Sequence, residues 1–590
     1  MSAPPPGSVA PARPEIITEG IPRRRPAWIE MATSADHKTV GLMYVAAALS
    51  FCVLAVVELM LMRAQLIVPE NNLIDPYIFD RLLSAYGATA VILFGIPFAL
   101  GLISYVVPLQ IGARSVAFPR LGALSFWLYL AGGITIYASF LYNPPDAGIN
   151  PLPPLSDEIF SPTSAVDVWI GGVGLAILGF VLMAINMVVT LHNHRAPGMA
   201  WRRLPLFSWS ATVSSYVLLF TGAVMLAALT MLLIDRNYGG VFFDAGEGGS
   251  PILWQHLSWL FFTGAYLVML LPWFGAISEI LPVFSRKPSF AHRTVAAAFV
   301  AIGALGVLAW MQNMFTAPIP LGWEIIAMAA ALALVVPIGL LFINWIATLW
   351  GGTLHFRAPL LFALGAISTT AIGLAGELAH SVIPVAWQSA DTVIATMDTH
   401  YALIGGSLFG GFAALYYWFP KLTGRLMGEG LASISFWTLL VGVHLTLAPM
   451  FFAGLEGQPV DLYKYYDGEG LYGYNLVSSI GSLVLAAGIL TTLVNAAYSA
   501  SNGVRAGHDP WGADTLEWFA LSPPPPHNFD AIPDVRSTEP LRDIREAVRQ
   551  RTESWEPPPA LERPAPAEQP SETAPAEPGA TEERGGGSVA

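Results

Sequence analysis

The sequence predicts an all-α polytopic membrane protein: a bundle of twelve transmembrane helices between disordered termini. Three observations predict it. The 590 residues are 54% hydrophobic and only 12% charged, about half the charged fraction usual in a soluble domain. Apolar runs recur, such as "TVGLMYVAAALSFCVLAVVELMLM" from Thr39 and "WTLLVGVHLTLAPMFFAGL" from Trp437, each of about the 20 residues that carry a helix across a bilayer. Basic residues gather in alternate loops. Lipid offers the backbone no partners, so a span is either a helix or a strand of a closed barrel. These runs lack the two-residue alternation of barrel strands, which leaves helices.

Taken in order, the predicted spans cover 39–62, 83–107, 121–142, 167–191, 208–234, 252–283, 294–315, 321–350, 358–385, 391–419, 432–455 and 474–500. Arg23, Arg24 and Arg25 precede the first span. Arg114 and Arg120 follow the second, Arg195, Arg202 and Arg203 the fourth, and Arg286, Lys287 and Arg293 the sixth. Arg357 follows the eighth, and Lys421 and Arg425 follow the tenth. The intervening loops are poor in Lys and Arg, so both termini are expected in the cytoplasm of a cytoplasmic (inner) membrane. An even number of spans agrees with that.

Three regions follow. Residues 1–35 form a polar, proline-rich cytoplasmic segment without the apolar core of a cleaved signal peptide. Residues 36–503 form the membrane domain. Residues 504–590, rich in Pro, Glu and Ala, read as a largely disordered cytoplasmic tail, because such a composition buries too little apolar surface to order itself. The net charge of −13 comes largely from the loops and this tail. The single cysteine, Cys52, excludes an internal disulfide framework and a cysteine-rich metal cluster.

Several stretches resemble subunit I of the haem–copper respiratory oxidases, the cytochrome c and quinol oxidases, and occur in that family's order. They are "SADHKTVGLMY" before the first span, "MRAQL" after it, and "VVPLQIGARSVAFPRLGALSFW" between the second and third. "TMLLIDRNYGGVFFDAGEGGSPILWQHLSW" leads into the sixth, "NWIATLWGG" closes the eighth, and "DTHYAL" lies in the tenth. "GHDPWGADTLEW", from Gly507, resembles the family's short segment at the membrane face. The resemblance runs from about Ser34 to Ser501 and implies the family's twelve-helix bundle.

It also implies a six-coordinate haem, a second haem with an open position, and a copper beside it. On a helix turning about 100° per residue, an H-x-H pair can serve two haems, while an H-H pair with a histidine of the preceding span can hold copper. Anchored on Trp259 and Pro272, the first copper histidine falls on Thr263 and its partner tyrosine on Leu267. The H-H pair falls on Gln312 and Asn313 in "WMQNMFT", and the open haem's histidine on Asp398. His400 keeps the other haem's position, and Tyr86 stands where that haem's second histidine belongs. Of these six ligand positions only His400 retains its imidazole. The family's proton-route residues fall on Ser115, Ala265 and Leu341, and its propionate-binding arginines on Val460 and Asp461.

Neutral carboxamides do not supply the nitrogen that suits copper. The expected cofactor content is therefore none, or at most one haem through His400 with Tyr86 opposite, and no copper. His400 otherwise reads as a residue in an interhelical hydrogen bond. Intramembrane acids are functional candidates by default, which singles out Glu58 and Asp398. Glu377 and His380 form an E-x-x-H pair on one helix face. With Arg63, Asp391 and His444 these residues make up a candidate polar cluster. His192 and His194 read as an exposed loop pair, and His256 as a structural group.

The function expected from this residue set is a subunit I-like pseudoenzyme that has lost oxygen reduction and acts as a structural or regulatory partner in a respiratory membrane complex. One alternative is a haem-containing terminal oxidase or electron-transfer subunit of aerobic respiration. Another is a proton, ion or small-molecule conduit built on the intramembrane acids. Expected partners are other membrane respiratory subunits, lipids and a quinone-like molecule; no nucleic acid is expected.

Overall fold

The computed structural model describes residues 27–553 except 142, 145, 147 and 149. The predicted terminal segments at 1–26 and 554–590 lie outside the described residues. Among the described residues, twelve helices are long and apolar enough to cross a membrane. They are α1 (His37–Gln65), α2 (Pro76–Gln110), α3 (Pro119–Leu141), α4 (Ala165–Asn193), α5 (Leu206–Tyr238) and α6 (Pro251–Ser285). There follow α7 (His292–Met314), α8 (Leu321–Leu349), α9 (Ala358–His380), α10 (Val393–Thr423), α11 (Glu429–Leu455) and α12 (Tyr472–Asn502).

Neighbours in sequence pack as neighbours in space, most extensively α3 on α4, α5 on α6 and α11 on α12, and α12 returns to pack on α1. Small residues set how closely the helices approach. Gly132 of α3 faces the carbonyl of Gly172 on α4, and Gly442 of α11 faces the backbone of Leu485 on α12. Both hold places where a Cβ would collide with main chain.

The structure departs from the predicted spans in instructive places. Helix α2 starts at Pro76 rather than 83, because Asp75 caps it by accepting from the Tyr77 N–H and proline suits the first turn. Two helices carry π-turns, Thr89–Gly95 in α2 and Ile404–Gly410 in α10. Helix α7 tightens into a 3-10 turn at Trp310–Met314. At the end of the bundle away from the start of α1, buried Arg236 of α5 donates to Asp167 at 2.9 Å and to the carbonyls of Ser161 and Thr163, fastening the loop before α4.

Two compact units are distinguished, with the boundary after Asp543. The described part of the second is the remainder of the helix Pro540–Glu553. In the first unit, the stretch 504–543, which by composition belongs to the tail, packs on the bundle end where α1 begins and α12 ends. Leu516, Trp518, Phe529 and Val535 are buried in the same core as the spans. These anchors stand singly among prolines and polar residues, so neither helical nor strand periodicity announces them.

Candidate functional site

The family's ligand positions converge in the half of the bundle away from the start of α1. The two π-turns frame them. Each inserts an extra residue into a helix and reorients what precedes it, which is why such turns concentrate at functional sites. Tyr86 precedes the turn in α2 and His400 the turn in α10. Their side chains meet: the Tyr86 hydroxyl lies 3.1 Å from His400 Nε2, with nearly parallel rings. His400 Nδ1 donates to the Thr396 carbonyl at 2.7 Å, which fixes the tautomer and leaves the Nε2 lone pair facing the phenol. Arg63 lies buried in the same quarter, its Nη2 against the Met450 sulfur at 2.9 Å and its Nη1 without a partner.

The copper and open-haem positions are occupied by a hydrogen-bonded relay of other chemistry. Asn313 donates to the Thr263 hydroxyl at 3.2 Å. Gln312 donates to Glu377 at 3.4 Å and accepts from the Ser381 hydroxyl at 3.2 Å. The other Glu377 oxygen accepts from Thr399 at 2.8 Å. His380 pairs with buried Asp398 at 2.9 Å, through Nδ1, while His380 Nε2 is buried without a partner. Gly376 makes this possible, since a Cβ there would overlap the Asp398 carboxylate. Leu267 packs against Gly306, where a Cβ would come within 2.8 Å of it.

Glu377, His380 and Asp398 are thus brought together. The other members of the candidate cluster lie apart. Glu58 accepts from Tyr137 at 2.9 Å, with Thr89 on the same phenol. His444 bonds the Tyr401 hydroxyl at 2.9 Å. Asp391 sits in an exposed turn where its carbonyl accepts from Val460 N. His256 accepts from Trp310 Nε1 at 3.4 Å. Sequence reasoning missed Thr399, Ser381, Tyr401 and Tyr137, hydroxyl residues whose helical spacing carries no signal of their partners.

The donor set tests the family's metals directly. Copper prefers imidazole or thiolate, whereas Thr263, Gln312 and Asn313 offer hydroxyl and carboxamide groups already hydrogen-bonded. Asp398 is committed to His380. Copper and an open haem do not fit these residues. Among the described residues, no group of three or more His, Cys, Asp or Glu is placed to hold a metal ion. Of the six ligand positions only His400 carries an imidazole that would hold an iron. The 3.1 Å contact between His400 and Tyr86 is a hydrogen bond.

Comparison with known proteins gives the family. The profile described as "Cytochrome C and Quinol oxidase polypeptide I" matches residues 39–484. The chain is 36% identical over 528 residues to cytochrome c oxidase subunit 1 of Bacillus subtilis, covering 89% of this chain and 84% of that protein. It is 38% identical over 542 residues to the Corynebacterium efficiens subunit, covering 91% and 93%. Thermostichus vulcanus has a further cytochrome c oxidase subunit 1, 36% identical over 510 residues. A solved haem–copper terminal oxidase dimer shares the fold, with a TM-score of 0.65 at 16% identity over 88% of this chain and 89% of that one.

These findings correct the expectation of a chain that has lost oxygen reduction and serves as a structural or regulatory partner. That expectation weighed a handful of ligand positions, whereas similarity to cytochrome c oxidase subunits 1 extends over 86–91% of the chain and favours the terminal-oxidase alternative. The chain belongs to the cytochrome c and quinol oxidase polypeptide I family.

Proposed function

We propose that this multi-pass membrane protein works as the subunit I component of a terminal oxidase of the cytochrome c or quinol oxidase type, carrying electrons in aerobic respiration. Its place is the cytoplasmic membrane, with both termini in the cytoplasm, beside other membrane subunits of the respiratory complex. A quinol and ordered lipid are the small molecules this setting provides. The observation that carries the reading is sequence kept across nearly the whole chain with oxidase subunits 1.

The chain's own residues hold one haem at most, on His400, and no copper. When bound, that haem would supply one-electron chemistry. His400 would hold it through Nε2 in place of the Tyr86 hydrogen bond, with Thr396 keeping the imidazole in the ligating tautomer, and Arg63 Nη1 would offer a buried donor to an acceptor on the bound group. The relay of Gln312, Glu377 and Thr399, with the His380–Asp398 pair, provides groups that hold or exchange a proton within the bundle. Because copper and the open haem do not fit, no reaction step is assigned to them.

The test is oxygen uptake by the complex purified with this chain, using reduced cytochrome c or quinol, with a visible spectrum and metal analysis of the same sample. Cyanide-sensitive uptake supports the oxidase reading, and an intact complex that consumes no oxygen overturns it. A pyridine haemochrome of the isolated chain counts its haem, and a value above one refutes the assignment to His400 alone.

A further inference from the structure

We infer that the bundle end where α1 begins and α12 ends holds a binding site for a phosphate-bearing anion, in a cavity of about 590 Å³ lined by four arginines. Three separate segments build it. Arg202 and Arg203 come from the 3-10 turn Trp201–Arg203 before α5, Arg293 from the first turn of α7, and Arg536 from the packed C-terminal stretch. The last of these is locked in place. Val535 is buried, its N–H donates to the Pro197 carbonyl at 3.1 Å, and its carbonyl accepts from Arg203 Nη1 at 2.9 Å. The backbone that carries Arg536 is therefore part of the folded unit.

The charge at this place is not compensated from within. Among the described residues, no Asp or Glu lines the cavity. Arg203 donates to neutral carbonyls, those of Gly198 and Val535. Arg536 has an ion pair with Asp534 at 3.7 Å, with side chains 81% and 62% exposed, and pairs so exposed contribute little. Two other carboxylates of adjoining segments are engaged: Glu279 accepts from the backbone N–H of Leu206 and Phe207, and Glu539 pairs with Arg542.

Several guanidinium groups sharing one concavity repel one another, and a multivalent anion relieves that repulsion. Planar guanidinium matches phosphate oxygens in a bidentate fork. Residues 291–294, at the start of α7, line the same cavity, and first-turn N–H groups have no partner within the helix. His292 lines the cavity as well, and Ser537 and Thr538 bring hydroxyls. Four cations suit two phosphate groups close together better than one. The cavity borders the first residues of α5 and α7, at the ends of two spans, and basic pockets between transmembrane helices take lipid phosphates. The shared chemistry is a diphosphate, whether in a doubly phosphorylated lipid headgroup or a soluble compound.

The experiment uses the full chain in neutral detergent. Inorganic pyrophosphate is titrated by calorimetry, and cardiolipin retention is read by native mass spectrometry. Vesicles of phosphatidylcholine with cardiolipin, or with charge-matched phosphatidylglycerol, provide the bilayer arm. Wild type is expected to bind pyrophosphate, and Arg293→Gln combined with Arg536→Gln to weaken it at least tenfold. Arg120→Gln, an exposed arginine outside the cavity, is expected to leave it unchanged. Ser537→Asp gives an independent reading by placing a negative charge in the cavity with every arginine kept, and it too is expected to weaken binding. Retained cardiolipin that pyrophosphate displaces assigns the site to lipid, and pyrophosphate binding without cardiolipin preference assigns it to a soluble ligand. Absence of both, or equal binding by wild type and cavity variants, overturns the proposal.

Discussion

Tyr86 and His400 reach each other from helices more than three hundred residues apart in sequence, and their hydrogen bond sets what His400 is free to do. Tyr86→Phe removes the donor while keeping the ring. Interhelical hydrogen bonds in membranes contribute about 0.6 kcal/mol and rarely above 1.7, so the variant is expected to lose stability within that range in a detergent melting experiment. Haem content should persist in Tyr86→Phe and disappear in His400→Ala. Unchanged absorbance in the latter would place the pigment elsewhere. The His380–Asp398 pair is the second residue-scale test. A double-mutant cycle with His380→Gln and Asp398→Asn is expected to give a coupling of about 1–2 kcal/mol, and additive effects would show that the 2.9 Å contact contributes nothing. His400 and Asp398 were legible because "DTHYAL" carries the family register. Their partners were not: Thr399 and Ser381 matter through positions on other helices, and hydroxyl residues are common in spans for many reasons.

At the scale of helices, the crossing of α9 and α10 depends on Gly376. Gly376→Ala places a methyl on the Asp398 carboxylate, and overpacking of this kind costs about 1–3 kcal/mol. Asp398→Ser should recover part of that loss, because the shorter side chain vacates the contested space. If the two substitutions prove independent in a melting assay, the overlap is not the cause. The spans themselves were readable from hydropathy, since length and apolar content are local properties. The π-turns were not, because "TAVILFG" and "IGGSLFG" look like ordinary helix and differ only in what packs around them. The capped start of α2 was missed for a related reason: its first turns are amphipathic and lie beyond the apolar window.

For the molecule as a whole, the packed stretch 504–543 closes the bundle end where α1 begins and α12 ends. Glu517 is fully buried there and accepts from Gln110 and Trp418, each at 3.2 Å. Burial pushes its carboxyl above the usual carboxylate range, against the lowering effect of those hydrogen bonds. A carboxyl raised in the folded state binds its proton more tightly there than in the unfolded chain, so its charged form costs stability above the folded pKa and that cost fades as pH falls through it. Glu517→Gln is therefore expected to raise the melting temperature relative to wild type at pH 8 and to lose that advantage by about pH 4, below the ordinary glutamate value. A constant difference across that range would refute the cause. Composition hid this stretch because prolines dominate it and its anchors are isolated.

That stretch also reaches the beginning of the bundle. Lys38 Nζ donates to the Asn528 side chain at 2.9 Å and to the Pro526 carbonyl at 3.2 Å, and Asn528 also meets His37 and the Ala113 carbonyl. The clasp on the first helix is thus made by residues that leave the ribosome after all twelve spans. During biogenesis every helix is therefore inserted while α1 still lacks its final hold. A fusion or protease cut placed at residue 503 would keep it in that state.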